Sequence, residues 1–228
     1  LAEHFYRAES YKKALKYAKI SSNKAKRNYS NVYFEKYLKR ILDLIPLLKI
    51  PESRSYSLEK DTLLELEHFY YLTAEMQKRD EISRKLNSLY KRKKDPELKI
   101  DIHLIEYKLK VYKGKTAEAM KSAKKALRLA LDNGLEKKSA YSEYSVSNVY
   151  MRQGRYSKCR GHLETALNIY KKYNHLTGLG LCYNALGLLS SDEKKWDESL
   201  KYFNDQIMIS RRTGDFEGAI ASYNNIAI

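Results

Sequence analysis

The residues that most often carry chemistry are few in this sequence, and their spacing forms no familiar catalytic or metal-binding pattern. Metal sites of the common kind use closely spaced His or Cys pairs, and the sequence has neither an H-x-x-x-H nor a C-x-x-C pair. Its isolated histidines are His4, His68, His103, His162 and His175. Cys159 and Cys182 also stand alone, so we expect both to be buried packing residues with no reactive role. The sequence predicts no metal site and no cofactor.

A short glycine segment gives the one hint of a phosphate-binding loop. Gly178-Leu179-Gly180 could begin a dinucleotide fingerprint, but the third glycine would fall at position 183, which is Tyr183. The sequence also has no Gly-Lys-Ser or Gly-Lys-Thr triplet. We therefore interpret these glycines as a flexible turn between repeats, and we predict that the protein is not an enzyme.

The composition favours helices over strands. The 228 residues are rich in Leu, Lys, Ala and Glu, and few segments alternate apolar and polar residues. The longest apolar stretch, Ile41 to Leu48, is interrupted by Asp43 and Pro46 and is far shorter than the roughly 20 residues of a membrane span. Two cysteines cannot build a disulfide framework, which suits a reducing compartment. The sequence predicts an all-α, cytoplasmic protein without a membrane partner.

Basic residues exceed acidic ones: 44 Lys and Arg against 28 Asp and Glu give a net charge of +16. The excess is +9 in residues 1–100 and +7 in 101–228, and such an even spread is typical of a solvated surface. Binding of nucleic acid, with tyrosines stacking on bases, is the alternative. The one true basic run, Lys91 to Lys94, precedes Asp95 and Pro96. This order predicts the end of one helix and the start of the next.

Glycines recur at regular intervals in the second half of the sequence. Their separations are twenty residues or a multiple of it, at Gly114, Gly134, Gly154 and Gly214. Asn174 fills one of the two missing positions, and asparagine is the next-best residue for a left-handed helix end. Lys194 fills the other, so we expect that turn to close differently. The spacing predicts helices of roughly fifteen residues joined by short turns.

A longer period of forty residues relates whole segments. Large side chains align with large ones, as in Tyr156 and Trp196, and small ones with small ones, as in Ser147, Gly187 and Ala227. Two helices that cross closely need large residues facing small ones. Each period therefore predicts a helical hairpin, and successive hairpins are expected to stack into a solenoid.

This pattern resembles the tetratricopeptide repeat, although the usual period of that family is 34 residues. The resemblance is carried by Ser147, Gly154-Arg155-Tyr156, Cys159, Leu163 and Ala166-Leu167, and in the next unit by Leu186-Gly187, Trp196, Ser199 and Phe203. The forty-residue form is similar to repeats in kinesin light chains, spindle-orientation adaptors and bacterial signalling proteins. It implies a right-handed superhelix of antiparallel helix pairs.

The first half of the sequence is less regular. Between Lys49 and Ser57, Pro51, three serines and the lack of a helical period indicate a linker. We predict a helical segment with a degenerate repeat at 1–48, a linker at 49–58 and a repeat array at 59–228 that is clearest at 100–214 and truncated at 228. The segment from His4 to Tyr17 is similar to the one that follows the ATPase module in large bacterial regulators. That similarity implies a bacterial signalling protein.

The tetratricopeptide resemblance also implies where a ligand would bind. In that family the contacts come from the first helix of each pair, three positions before the small residue and one after it. The corresponding positions hold Tyr144, Asn148, Asn184, Leu188, Asn224 and Ile228. Asparagine can donate to and accept from a peptide backbone at once, and Arg152 could pair with an acidic group. The same asparagines could instead hold neighbouring helices together.

The main functional prediction is a non-enzymatic scaffold that binds a protein or peptide along its concave face, as the regulatory region of a larger signalling protein. One alternative is nucleic-acid binding through the basic surface, and another is a peptide-sensing regulator without its effector domain. Ile220, Ile226 and Ile228 would lack a following helix to pack against, which predicts self-association through the last repeat.

Overall fold

The computed structural model describes residues 1–227, and every regular element in that range is a helix. The all-α prediction is therefore confirmed. Contacts divide the chain into two compact units, Leu1–Lys94 and a second that begins at Asp95. The division lies at the basic run and Pro96, about forty residues after the segment that we predicted as the linker.

The first unit is built from α-helices of unequal length. They are α1 (Ala2–Arg7), α2 (Tyr11–Arg27), α3 (Asn31–Leu44), α4 (Glu52–Leu72) and α5 (Met76–Lys93), with a short 3-10 helix (Ile45–Leu47) after α3. Small residues allow close packing of α2, since Ala14, Ala18 and Ala25 are buried on one face. α2 packs against both α1 and α3, and α4 packs against α5.

The segment predicted as a linker is largely helical. α4 begins at Glu52, so residues 52–58 form its first two turns, and the prediction of a linker at 49–58 is wrong over that range. Pro51 precedes the helix, a place where its missing N–H leaves no helical hydrogen bond unmade. Serine disfavours helix interiors only slightly, so the three serines of this segment do not prevent the helix.

The second unit is a regular succession of helices. They are α6 (Pro96–Tyr112), α7 (Thr116–Asp132), α8 (Glu136–Arg152), α9 (Tyr156–Lys172), α10 (Leu176–Asp192), α11 (Trp196–Thr213) and α12 (Phe216–Ile226). The most extensive contacts pair α6 with α7, α8 with α9 and α10 with α11. First helices of successive pairs also touch, α6 with α8, α8 with α10 and α10 with α12. The second unit is thus a superhelical stack of hairpins.

The turns of the second unit share one backbone conformation. A φ of 65° to 72° is found at Gly114, Gly134, Gly154 and Gly214. Lys194 has a φ of 60°, and its amide donates to the Ser191 carbonyl just as that of Gly114 donates to Val111. The expectation that the Lys194 turn closes differently was therefore wrong. Lysine there adopts, at a cost, the left-handed conformation that glycine adopts freely.

Small residues let the paired helices approach closely. Ala119 and Cys159 are fully buried at equivalent positions of α7 and α9. A methyl group added at Gly187 of α10 would lie 2.6 Å from the ring of Phe203 on α11. The geometry at these positions agrees with the alternation of large and small residues in the forty-residue period.

The glycines of Gly178-Leu179-Gly180 serve packing, and the interpretation of this segment as a flexible turn was wrong. All three residues lie in α10 and are buried. A methyl group at position 178 would overlap the ring of Tyr170 on α9, and one at position 180 would touch Ile209 on α11. The true turn lies just before them, where the His175 ring accepts a hydrogen bond from the Gly178 amide at 3.0 Å.

Candidate ligand-binding face of the repeat array

The first helices of the second unit form a continuous inner face, because each contacts the first helix of the next pair. A forty-residue period returns each side chain to an equivalent place on α6, α8, α10 and α12. The predicted site residues all belong to these helices: Tyr144, Asn148 and Arg152 to α8, Asn184 and Leu188 to α10, and Asn224 to α12. Ile228, the remaining candidate, lies outside the described residues.

Aromatic rings and a lysine define the part of this face on α6 and α8. The rings of Tyr141 and Tyr144 lie 5.8 Å apart and are tilted by 31°. The Lys108 ammonium of α6 lies 5.5 Å from the centroid of the Tyr141 ring, within the range of a cation–π contact. Both tyrosines and the lysine are half-buried, so each presents part of its surface at the face.

Asn148 connects the inner residues of α6 and α8. Its Nδ2 donates to the hydroxyl of Tyr107 over 3.5 Å, a long hydrogen bond. Tyr107 is buried, and its desolvation raises the pKa of the phenol, so Tyr107 stays neutral. Arg152, one turn beyond Asn148, is exposed. The weak bond leaves Asn148 with unused hydrogen-bonding capacity at a half-buried position.

The asparagines of α10 and α12 differ in their surroundings. Asn184 is half-buried, and its Oδ1 accepts a hydrogen bond from Asn225 Nδ2 at 3.4 Å. Asn224, the neighbour of Asn225 in the chain, is exposed. Leu188 is 37% exposed, which is unusual for leucine in the middle of a packed helix. Helix-to-helix bonding therefore engages Asn148 and Asn184 in part, while Asn224 and Leu188 are exposed to solvent.

Sequence reasoning missed Lys108, Tyr107 and Tyr141. Lys108 is forty residues before Asn148, so the period itself could have found it, had it been extended into α6. Tyr107 stands where later repeats have the small residues Ser147 and Gly187, so the pattern of small residues that aligns the repeats does not continue into α6. Tyr141 is one helical turn before Tyr144 and carries no signal beyond that spacing.

Both cysteines are buried, and two of the histidines contact carboxylates. Burial raises the pKa of the Cys182 thiol to about 12, and that of Cys159 to about 11, so both are thiols at neutral pH. His103 Nδ1 lies 3.1 Å from Glu106, and His162 bonds Glu143 between α9 and α8. Within residues 1–227, no three His, Cys, Asp or Glu side chains come together as a metal site would require.

The first unit has its own cleft, where α3, α4 and α5 meet. Its volume is about 560 Å³, and Leu42, Ile45 and Leu63 supply apolar lining. The charged residues at its rim are neutralised in pairs: Arg92 bonds Glu59 at 2.6 Å, and Lys93 bonds Glu52 at 2.8 Å. With its charges paired, the cleft is less suited to capturing a charged ligand than the inner face of the second unit.

Comparisons with known proteins bear on the fold. No protein-family model matches the chain, and no curated protein matches it. Among solved structures, the chain is similar over its full length to a signal transduction ATPase with a tetratricopeptide-repeat sensor from Pyrococcus horikoshii, with 18% identity and a TM-score of 0.65. The chain has the tetratricopeptide-repeat fold. It spans 36% of that ATPase.

Two further solved structures are similar to this chain in fold. RapI, in its apo form, is similar over 88% of this chain and 72% of its own, at 15% identity and a TM-score of 0.63. BtubC from P. vanneervenii is similar over 95% of this chain and 89% of its own, at 16% identity and a TM-score of 0.52. Among the helices described for residues 1–227, none combines the length and apolar character needed to cross a membrane.

Proposed function

We propose that the protein is a non-enzymatic scaffold whose second unit binds a protein or peptide along its inner face. The observation that carries the proposal is the ladder of side chains at equivalent places on α8, α10 and α12. An extended peptide backbone presents donors and acceptors at regular intervals, so a ladder of amides at regular intervals suits it. Leu188 and the rings of Tyr141 and Tyr144 add apolar surface between the amides.

The charges on this face favour a partner with acidic character. Arg152 is exposed at the end of α8, and Lys108 lies over the Tyr141 ring. A guanidinium and an ammonium on one face attract carboxylates, and Arg can bond one in a bidentate manner. The likeness to an ATPase described as having a repeat sensor supports a regulatory role within a larger signalling protein.

The test begins with peptides selected from a displayed random library against the whole chain. Replacing Asn184→Ala together with Asn224→Ala should weaken the selected peptide roughly ten- to a hundredfold, since each amide bond contributes about 0.5–1.5 kcal/mol. Asn168→Ala with Asn204→Ala is the matched control, because these exposed asparagines lie on the second helices α9 and α11. Equal affinities for both double variants would refute the inner face as the site. A large loss of stability with unchanged affinity would assign the asparagines to helix packing.

We also propose that α12 pairs with a second copy of the chain. Phe216 and Ile220 are exposed on α12, the latter by 58%, and Ile226 is partly exposed. Such side chains forgo about 1.5–3 kcal/mol each when left in water. Ile220→Lys should shift a dimer toward the monomer in sedimentation equilibrium, whereas Lys201→Gln on α11 should not. A wild-type chain that is monomeric at high concentration would end this proposal.

A further inference from the structure

The second helix of the first unit carries charge of one sign only. α2 contains Lys12, Lys13, Lys16, Lys19, Lys24, Lys26 and Arg27 and has no acidic residue. The sequence has no Asp or Glu anywhere between Glu9 and Glu35. Seven cations lie in this acid-free stretch, so α2 is a local concentration of the overall positive charge.

The cations of α2 form a stripe opposite its buried face. Lys12, Lys16, Lys19 and Arg27 recur at intervals of three, four or eight residues, so they share one side of the helix. The opposite side packs into the unit through Ala14, Ala18, Ser22 and Ala25. From residue 12 to residue 27 the stripe extends for about 22 Å at 1.5 Å per residue. All four cations are exposed.

These four cations have no carboxylate partner among the described residues. On α2 only Lys26 makes an ion pair, with Glu65 at 2.9 Å. Lys13 lies over the Phe5 ring at 5.5 Å. By contrast, two of the four cations in the Lys91–Lys94 run are paired, Arg92 with Glu59 and Lys93 with Glu52. The α2 stripe is therefore available to an external anion.

Exposed aromatic rings follow the stripe directly. Tyr29 is 82% exposed and Tyr33 is 55% exposed, in the turn after α2 and in the first turn of α3. Tyr29 also has a φ of 53°, a conformation that a bulky residue adopts only at a cost. Within the described part of the chain, the Tyr29 ring makes no hydrogen bond and no ring contact that would offset this cost.

The side chains of this surface favour one kind of polyanion over another. A helix that binds a lipid surface needs a wide apolar face, and Ile20 is the one exposed aliphatic residue of α2. Proteins bind single-stranded nucleic acid with cations that contact its phosphates and with aromatic rings on which its unstacked bases stack. We propose that the α2 stripe, with Tyr29 and Tyr33, binds single-stranded nucleic acid through its backbone and by base stacking. This site is separate from the inner face of the second unit.

The test measures binding of a fluorescent oligothymidylate of about 20 nucleotides to the whole chain by anisotropy. Four phosphate contacts predict a slope of about −3 in log K against log salt, or about 50-fold weaker binding at 200 than at 50 mM salt. For the quadruple variant Lys12→Gln, Lys16→Gln, Lys19→Gln and Arg27→Gln, log K should hardly depend on log salt. The matched control removes equal charge from exposed sites of the second unit, with Lys121, Lys125, Lys171 and Lys201 each changed to Gln.

Tyr29→Gly tests stacking while all charges stay in place. It should weaken oligothymidylate roughly five- to a hundredfold, because one aromatic–base stack is worth about 1–3 kcal/mol. Circular dichroism checks that every variant is folded. The four single stripe variants, each lowering the slope by about 0.7, serve if the quadruple variant does not fold.

Several outcomes would overturn the site. Equal losses in the stripe and control variants would mean diffuse charge attraction without a site. Tighter binding of duplex DNA than of oligothymidylate would contradict a role for stacking. Stripe-dependent binding of phosphatidylserine vesicles or polyglutamate, without binding of oligothymidylate, would assign the stripe to a membrane or an acidic protein.

Discussion

The two units of the molecule reach similar helix-and-turn geometry by different means. In the second unit, glycine occupies most of the turns and small residues recur where helices cross, so the period is visible in the sequence. In the first unit, Glu9, Tyr29 and Ala74 adopt the same left-handed turn with φ between 53° and 56°. The comparison shows that a repeated backbone does not need a repeated residue, provided that the packing compensates the strained turns.

Packing in the first unit includes a buried ion pair. Arg79 of α5 is 1% exposed and donates through its Nε and a terminal nitrogen to Glu67 of α4, at 2.9 and 2.5 Å. The guanidinium also lies 4.9 Å from the centroid of the Tyr71 ring. In the second unit, by comparison, Arg160 pairs with Glu193 and Glu198 at partly exposed positions. Because the Arg79–Glu67 pair is fully buried, we expect the loss of one partner to lower stability more than the loss of a partner of Arg160 would.

The largest expected effect tests this difference directly. Arg79→Met should lower the free energy of unfolding by about 3–5 kcal/mol, because it leaves Glu67 buried and uncompensated. Changing both residues to methionine should restore much of the loss, since the site then becomes apolar. Urea unfolding measures both effects. Lys26→Met is the control: it breaks an exposed pair with Glu65 of the same helix α4, for a cost of about 0–1 kcal/mol.

In the second unit, the contact that we expect to be most sensitive to substitution is the close crossing of α10 and α11. Gly187→Ala should cost about 1–3 kcal/mol, because the added methyl meets the buried Phe203 ring at 2.6 Å. Gly161→Ala is the matched control within α9, where an added methyl meets nothing within 4 Å. It should raise the free energy of unfolding by about 0.5–1 kcal/mol through higher helix propensity. Changes of the same sign in the two variants would show that close approach does not decide the effect.

A pH-dependent contribution is expected from Glu35 of the first unit. Burial alone would raise its pKa, but hydrogen bonds from Lys39, Lys78 and Tyr70 outweigh burial and lower the pKa to about 2. Because the folded pKa is below the unfolded one, the stabilisation is present above about pH 4.5 and is lost as the pH falls toward 2. Glu35→Gln should therefore cost about 1–2 kcal/mol at pH 7 and almost nothing near pH 2.

The control for Glu35 is Glu81→Gln. Glu81 bonds Lys85 at 2.7 Å, but both side chains are more than half exposed, and solvent screens such a pair. Its loss should change the free energy of unfolding little at either pH. An equal pH dependence for the two variants would mean that net charge, and not the contacts of Glu35, controls acid stability.

Sequence reasoning succeeded where local chemistry determines structure. The pair Asp95 and Pro96 predicted a helix start, and Asp95 Oδ1 indeed accepts from the Glu97 amide at 2.9 Å. The forty-residue period predicted the helix pairs of the second unit. Sequence reasoning failed at Gly178, which lies inside α10 because the distant Tyr170 ring needs the space. It also gave too much weight to the serines after Pro51, which are helical in α4.

The candidate site was harder to predict than the fold. Periodicity places Asn148 and Asn184 on the inner face, but it cannot reveal that their amides reach Tyr107 and Asn225. The Arg79–Glu67 pair leaves no pattern either, because twelve residues separate its partners and charged residues are common throughout the chain. Whether these asparagines bind a ligand stays a prediction.

The smallest expected effect concerns the turns that the two units share. Ala74 and Gly114 have φ values of 56° and 70°, and the amide after each donates to a carbonyl five residues back, at 2.9 and 2.8 Å. An L-residue in this conformation is strained by about 1–2 kcal/mol, part of which glycine loses again through its greater freedom when unfolded. Ala74→Gly should therefore raise the free energy of unfolding by about 0.5–1 kcal/mol, and Gly114→Ala should lower it by a similar amount. A methyl group at position 114 meets nothing within 4 Å, so backbone strain alone is measured. Effects of unequal size would show that the first unit relieves its turns by other contacts.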